Sequence, residues 1–184
     1  MTPEKEFPTI GACGIDCGLC PRHHTKGPSR CPGCCGPGFD AVHPSCPVVT
    51  CCRIKRGLEV CALCDAYPCD IFSRPATRRD SFVTHRRMAA NHEAIRSGGL
   101  DRFVAAQAER LALLDQLLAE FDNGRSKSYY CLAAALLSVD GLRAAIDAVP
   151  RDGDVKARAA RLRAELEARA QHEGVDLVLR AAQT

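Results

Sequence analysis

CGIDCGLCPRHHTKGPSRCPGCCGPGFDAVHPSCPVVTCCRIKRGLEVCALCDAYPC, residues 13–69, decides how this chain is read. It gathers twelve of the thirteen cysteines into fifty-seven residues: Cys13, Cys17, Cys20, Cys31, Cys34, Cys35, Cys46, Cys51, Cys52, Cys61, Cys64 and Cys69. Pro21, Pro28, Pro32, Pro37, Pro44, Pro47 and Pro68 exclude long helices here, and no apolar periodicity is present. The apolar side chains are too few to offset the entropy of ordering such a segment. Something other than an apolar interior must hold it. The opening MTPEKEFPTIGACG carries no apolar leader, which points to the cytoplasm. Thiols stay reduced there and structural disulfides are rare. Thirteen is also an odd number, unlike a fully paired framework. The expected glue is metal–thiolate bonding, worth about 10–16 kcal/mol per structural zinc in small peptides.

Three pairs have the Cys-x2-Cys spacing: Cys17/Cys20, Cys31/Cys34 and Cys61/Cys64. Two intervening residues let one tight turn aim both sulfurs at one ion, and two such pairs complete a tetrahedral shell. Zinc, about two ions in number, is the expected cofactor. A first site is read from Cys17, Cys20, Cys31 and Cys34. A second draws on Cys61, Cys64 and Cys69 with Cys46 or Cys52. Spacing leaves the connectivity open, and interleaved sites fit it equally. Cys35 and Cys51 each abut another cysteine and read as spares. His23, His24 and His43 are of a type that can replace a cysteine ligand, but with cysteine in excess they read as solvated loop residues.

Cys13-x3-Cys17-x2-Cys20 supports an alternative, because three thiolates at this spacing hold three irons of a [4Fe–4S] cluster. The barrel of alternating strands and helices that radical enzymes build around such a motif has no counterpart downstream. A cluster held by four thiolates is not subject to that objection. The plain opposing reading is a set of redox-labile thiols without metal.

Composition changes near Phe72. Residues 1–72 balance seven Lys/Arg against seven Asp/Glu, whereas residues 73–184 hold eighteen and fifteen and a single cysteine. The expected fold is mainly α: an irregular, cysteine-rich metal-binding region at 1–72, packed on a helical region at 73–184. Helices are predicted over 77–97, 100–122, about 128–138, 141–149 and 153–173. On the first, His85 and His92 share a face and read as core histidines. Arg74, Arg78, Arg79, Arg86, Arg87 and Arg96 leave that segment near +4, and they read as a solvated face because no aromatic residues interleave with them. On the second, Leu100, Val104, Leu111, Leu114, Leu118 and Phe121 form the apolar stripe, interrupted at Gln107. Asp140 is read as an N-cap and Gly174 as a C-terminal stop. VDLVL at 175–179 reads as a short strand or a last turn. Cys131, beside Tyr129 and Tyr130, reads as a buried small thiol, with a reactive or metal-ligating thiol as its functional alternative.

CGIDCGLCPRH, RCPGC, GLEVCALCDAYPCDIF and SKSYYCLAAALL together resemble an uncharacterised bacterial and archaeal family of cysteine-rich domains of unknown function, over most of residues 11–140. The resemblance implies a metal-binding head on a helical tail, with no established activity. It implies Cys13, Cys17, Cys20, Cys31, Cys34, Cys46, Cys52, Cys61, Cys64 and Cys69 as the metal-ligating set, and it raises the interest of Cys131.

Three function classes remain at this stage. The first is a zinc-held module that contacts a protein partner. The second is an iron–sulfur protein for electron transfer, redox sensing or catalysis. The third is a nucleic-acid-binding knuckle, for which a net charge of +3 and the absence of tryptophan give little support. No run reaches membrane-spanning length. No GxSxG, GxxxxGK, HExxH or GxGxxG motif marks a hydrolase, an NTPase or a dinucleotide enzyme.

Overall fold

A computed structural model of the chain describes residues 1–73 and 80–181. It is mainly α. Among the described residues the only β-pairing is an isolated bridge between Ile10 and Asp16. No helix of the described residues is long and apolar enough to cross a membrane. The chain divides into two compact units: Met1–Ala105 with the residues from Leu179 onward, and Ala106–Val178. The division therefore falls within a helix, some thirty residues beyond the composition change at Phe72.

The first unit is built from short turns. Helices α1 (Phe39–Val42), α2 (Pro47–Val49) and α3 (Asp70–Ser73) are single turns. They are joined by 3-10 turns at Cys17–Leu19 and Cys61–Leu63 and by a π-helical turn at Thr50–Lys55. The segment Lys5–Ala12 is the seam between them. Lys5 N–H donates to the Cys35 carbonyl (3.0 Å), Pro8 accepts from Cys34 N–H (2.8 Å), and Thr9 accepts from Gly18 N–H (2.8 Å). Ala12 accepts from Cys61 N–H (2.8 Å). Gly33 lies on this seam with φ at +88°, and a Cβ there would run into the Pro8 carbonyl. Only glycine satisfies both constraints.

Helix α4 (Met88–Gly98) closes the unit. Its buried Asn91 donates from Nδ2 to the Gly14 carbonyl (2.8 Å) and to Asp16 (3.0 Å). Arg96 donates to the Ala62 carbonyl (3.2 Å). Ile95 packs with Ile10, Val60, Ala62 and Phe103. This helix is shorter than the predicted 77–97. Residues 74–79, with Arg74, Arg78 and Arg79, lie outside the described residues, and 80–87 are not helical. The cause is Asp80. Its carboxylate accepts from His85 N–H (2.8 Å) and Thr84 hydroxyl (3.2 Å), and from Arg180 N–H (2.9 Å) and guanidinium (3.1 Å). A short acidic side chain that satisfies nearby backbone N–H groups competes with helix formation. His85 and His92 therefore do not share a helical face. His92 lies on α4, edge-on to Tyr67 and Phe72 with ring centroids 4.5 and 5.3 Å away.

The second unit is helical throughout its core. It takes the rest of α5 (Leu100–Phe121), then α6 (Lys127–Leu136), α7 (Val139–Asp147) and α8 (Val155–His172). Leu114, Leu117, Phe121, Leu142, Ile146, Leu162 and Leu166 are fully buried. The buried stripe of α5 is Phe103, Gln107, Leu114, Leu117 and Phe121. It is rotated from the predicted stripe, keeping only Leu114 and Phe121 at its centre. Arg110 donates to the Ala134 (2.7 Å) and Leu137 carbonyls and so closes the C-terminal end of α6. The N-cap of α7 is Ser138, not Asp140, because the Ser138 hydroxyl accepts from Gly141 N–H (2.9 Å). Glu173, just past α8, accepts from the Ser138 N–H (2.8 Å) and hydroxyl (2.6 Å), which ties α7 to α8. Asp154 caps α8 by accepting from Ala157 N–H (2.7 Å). Gly174 follows α8 with φ at +64°. Residues 175–179 form no strand.

Candidate metal-binding cysteine cavities

Eleven of the twelve clustered cysteines line two cavities in the first unit. Cys13, Cys17, Cys20, Cys31, Cys34 and Cys46 line the larger, of about 320 Å³. Cys51, Cys52, Cys61, Cys64 and Cys69 line the smaller, of about 30 Å³, together with Arg56. The four cysteines of the first predicted site face the same cavity. Of the two residues offered to complete the second site, Cys52 lies with Cys61, Cys64 and Cys69, whereas Cys46 faces the larger cavity. Cys51, read as a spare, lines the smaller cavity and is hydrogen-bonded to Arg56. Its neighbour Cys52 faces the same space because both ride on the π-helical turn, a device often found at functional positions. Spacing alone held no signal for that turn.

Cys35 lines neither cavity. It is buried with φ at 58°, and its Sγ is 3.8 Å from Cys34 Sγ. Among the described residues, no three His, Cys, Asp or Glu side chains are already arranged as the shell of one ion. No two of the cysteines are joined by a disulfide.

The thiols differ in how ready they are to ionise. Burial pushes Cys13 up to about 12, with the nearby charges of Cys34 and Cys46 adding to it and the Ile15 N–H opposing it. Burial also raises Cys17, and Cys34 and Cys13 raise it further. Cys20 is raised by burial although Arg22 and His23 N–H groups point at its sulfur. Cys34 goes the other way, to about 6: the Cys35 thiol donates to it, which outweighs burial, and Lys5 and the Ala12 N–H (3.3 Å) assist. The proton stays on Cys35, whose pKa is raised. The same arrangement recurs at the smaller cavity, where the Cys61 thiol donates to Cys52 and lowers it. Lys5 is the cation common to both. It is buried, its Nζ donates to the Ile10 carbonyl, and its charge favours the thiolates of Cys17, Cys34 and Cys52. In the larger cavity Cys34 is thus the thiol readiest to ionise, beside Cys13, Cys17 and Cys20, which burial holds back; in the smaller, Cys52 is favoured over its donor Cys61. A bound cation is the agent that ionises such thiols outright.

Four histidines near the cavities have contacts of their own. His23 Nδ1 is hydrogen-bonded to the Cys31 carbonyl (3.1 Å) and His24 Nε2 to the Gly18 carbonyl (2.7 Å). His43 stacks on Phe39 at 4.6 Å and His85 meets the Ser81 hydroxyl (3.2 Å), both on the wall of the larger cavity. Sequence reasoning missed Asn91 and Lys5, which orient the first cysteine loop and supply its counter-charge. A buried amide and a buried amine leave no mark in cysteine spacing.

In the second unit, Cys131 is buried on α6, as are Ala133, Ala134 and Ala135. Tyr130 is a core tie, its hydroxyl donating to the Phe121 carbonyl (3.1 Å). Tyr129 instead lines an open groove with Arg163, whose guanidinium carbon stands 4.3 Å from the ring centroid.

Compared with known proteins, the chain matches no family model, no curated protein and no solved structure.

Proposed function

We propose that this chain is a metal-binding protein whose first unit is held by cysteine thiolates, with zinc as the ion at the smaller cavity. The observation that carries the reading is the convergence of eleven cysteines on two cavities, in a unit whose helical turns before α4 span only three to six residues. Soft thiolates select zinc, copper(I) or iron–sulfur centres over magnesium and calcium. At the smaller cavity, Cys52, Cys61, Cys64 and Cys69 are the four thiolates for a closed tetrahedral shell, which is the structural rather than the catalytic form of a zinc site. Arg56 then balances residual thiolate charge from the rim, where it sits close to Cys51, Cys64 and Cys69.

In this reading the metal makes a rigid scaffold and the unit acts as a binding module. Ile54, Leu63, Ile71 and Phe82 stay exposed on it and are suited to meeting a protein partner. The test is elemental analysis of purified protein, followed by hydrogen exchange before and after a chelator. Metal co-purifies, and its removal strips protection from residues 1–105. A first unit that stays protected after the metal is gone defeats the proposal.

A further inference from the structure

We infer that the larger cavity seats a polynuclear iron–sulfide cluster held by Cys13, Cys17, Cys34 and Cys46, while the smaller one takes a single ion. This inference rests on the thiolate–metal reading above and adds which kind of centre each cavity holds. Size is the first argument. Four sulfurs about 2.3 Å from one zinc stand about 3.8 Å from each other and leave no space between them. The larger cavity has six thiols in its wall and measures about 320 Å³, room for on the order of ten water molecules. Closing it on one ion would mean moving the backbone of Cys17–Leu19, which is pinned by the Gly18 N–H to Thr9 carbonyl bond and by Asn91 on Gly14 and Asp16. The smaller cavity, at about 30 Å³, closes on an ion by side-chain rotation.

The lining is the second argument. Cluster sulfurs are tuned by N–H donors and by exclusion of water. Backbone N–H groups reach Cys13 from Ile15 and Cys34 from Ala12. Ile15, Phe39, Val48 and Val49 form an apolar wall. Lys5 offsets negative charge from within the fold.

The choice of four follows from which thiols neighbour each other. Cys13 feels the charges of Cys34 and Cys46, and Cys17 those of Cys34 and Cys13 ahead of that of Cys20. The thiol charge that acts on Cys20 is that of Cys31.

The experiment uses the full chain, purified without oxygen from cells supplied with iron and zinc. Iron, zinc and acid-labile sulfide are counted per chain, and the visible absorbance and the electron paramagnetic resonance of the dithionite-reduced sample are recorded. The expected result is about four iron and four sulfide with about one zinc. Cys46→Ser strips iron and sulfide and leaves zinc, Cys64→Ser does the reverse, and the double variant Cys20→Ala/Cys31→Ala keeps the cluster signal. Because the wild-type metal count decides by itself, a variant that fails to fold does not spare the inference. Zinc alone, without labile sulfide, overturns the cluster and leaves the thiolate–metal reading standing. A chain that takes up no metal defeats both. Loss of the signal in the Cys20/Cys31 variant overturns the ligand assignment.

Discussion

In the second unit, Leu117, Phe121, Leu142, Ile146, Leu162 and Leu166 are fully buried on helices of nine to twenty-two residues. In the first, one core cluster joins Cys34, Cys35, Cys52 and Cys61 to Ala12, Phe39 and Val49, and Cys52 and Cys61 ride on turns of six and three residues. The two interiors use different chemistry. Leucine stabilises by leaving water, at about 25 cal/mol for each Å² buried, whatever else is bound. A thiol buried as a thiol gains less area, and a thiol buried as an anion is costly without a cation beside it. The second unit should therefore be stable on its own terms, and the first only when its cysteines are engaged.

The largest effect that could break this contrast is metal removal. Chelation at neutral pH should abolish slow hydrogen exchange across residues 1–105 and leave that of 106–178 unchanged, because about 10–16 kcal/mol per structural ion is at stake. Equal loss in both units would end the distinction. Next in size is Leu162→Ala. It should destabilise the second unit by about 2–5 kcal/mol, read by denaturant melting, with metal content unaltered. A drop in bound metal would show that the units are not independent.

Gly14→Ala is a smaller test confined to the first unit. Gly14 has φ at +82°, and a Cβ there would lie 2.7 Å from the His92 ring. A cost of about 1–3 kcal/mol, seen as faster exchange in α4, is expected; an unchanged α4 would remove Gly14 from the seam.

The smallest is Asp80→Asn. Burial raises the Asp80 carboxyl, but the Arg180 and His85 N–H groups and the Arg180 guanidinium outweigh it and hold it at about 2, against an ordinary 3.8. Between those values the unfolded chain binds more protons than the folded one. The contribution is complete above pH 3.8 and is lost as pH falls through about 2. The variant should be less stable by about 1–2 kcal/mol at pH 7, and its deficit against the wild type should shrink on acidification below pH 4. A deficit that does not change with pH would mean that Asp80 acts by shape alone.

The mainly α class and helices α5, α7 and α8 were legible because 3.6-residue periodicity and the stop at Gly174 act locally, whereas the α7 cap, Ser138, was not. The rotation of the α5 stripe was not. Gln107 reads as polar and Leu100 as apolar, and tertiary neighbours, not residue type, decide that Gln107 is buried. The non-helical course of 80–87 shares that origin, since Asp80 is held by Arg180, one hundred residues away. Within the cysteine stretch, Cys-x2-Cys spacing placed partners together locally. It said nothing of Cys46 facing one cavity and Cys51 the other, which depends on how residues 47–55 turn.

Under the proposed thiolate–metal reading, Lys5 carries a consequence for metal choice. Its buried ammonium is a fixed counter-ion that favours whichever shell retains the most negative charge. The less charge an incoming ion brings, the more negative the shell it leaves behind, and the more that ammonium contributes. Lys5→Met should therefore tilt the protein's preference toward ions of higher charge, turning a residue that touches no metal into a dial for selectivity.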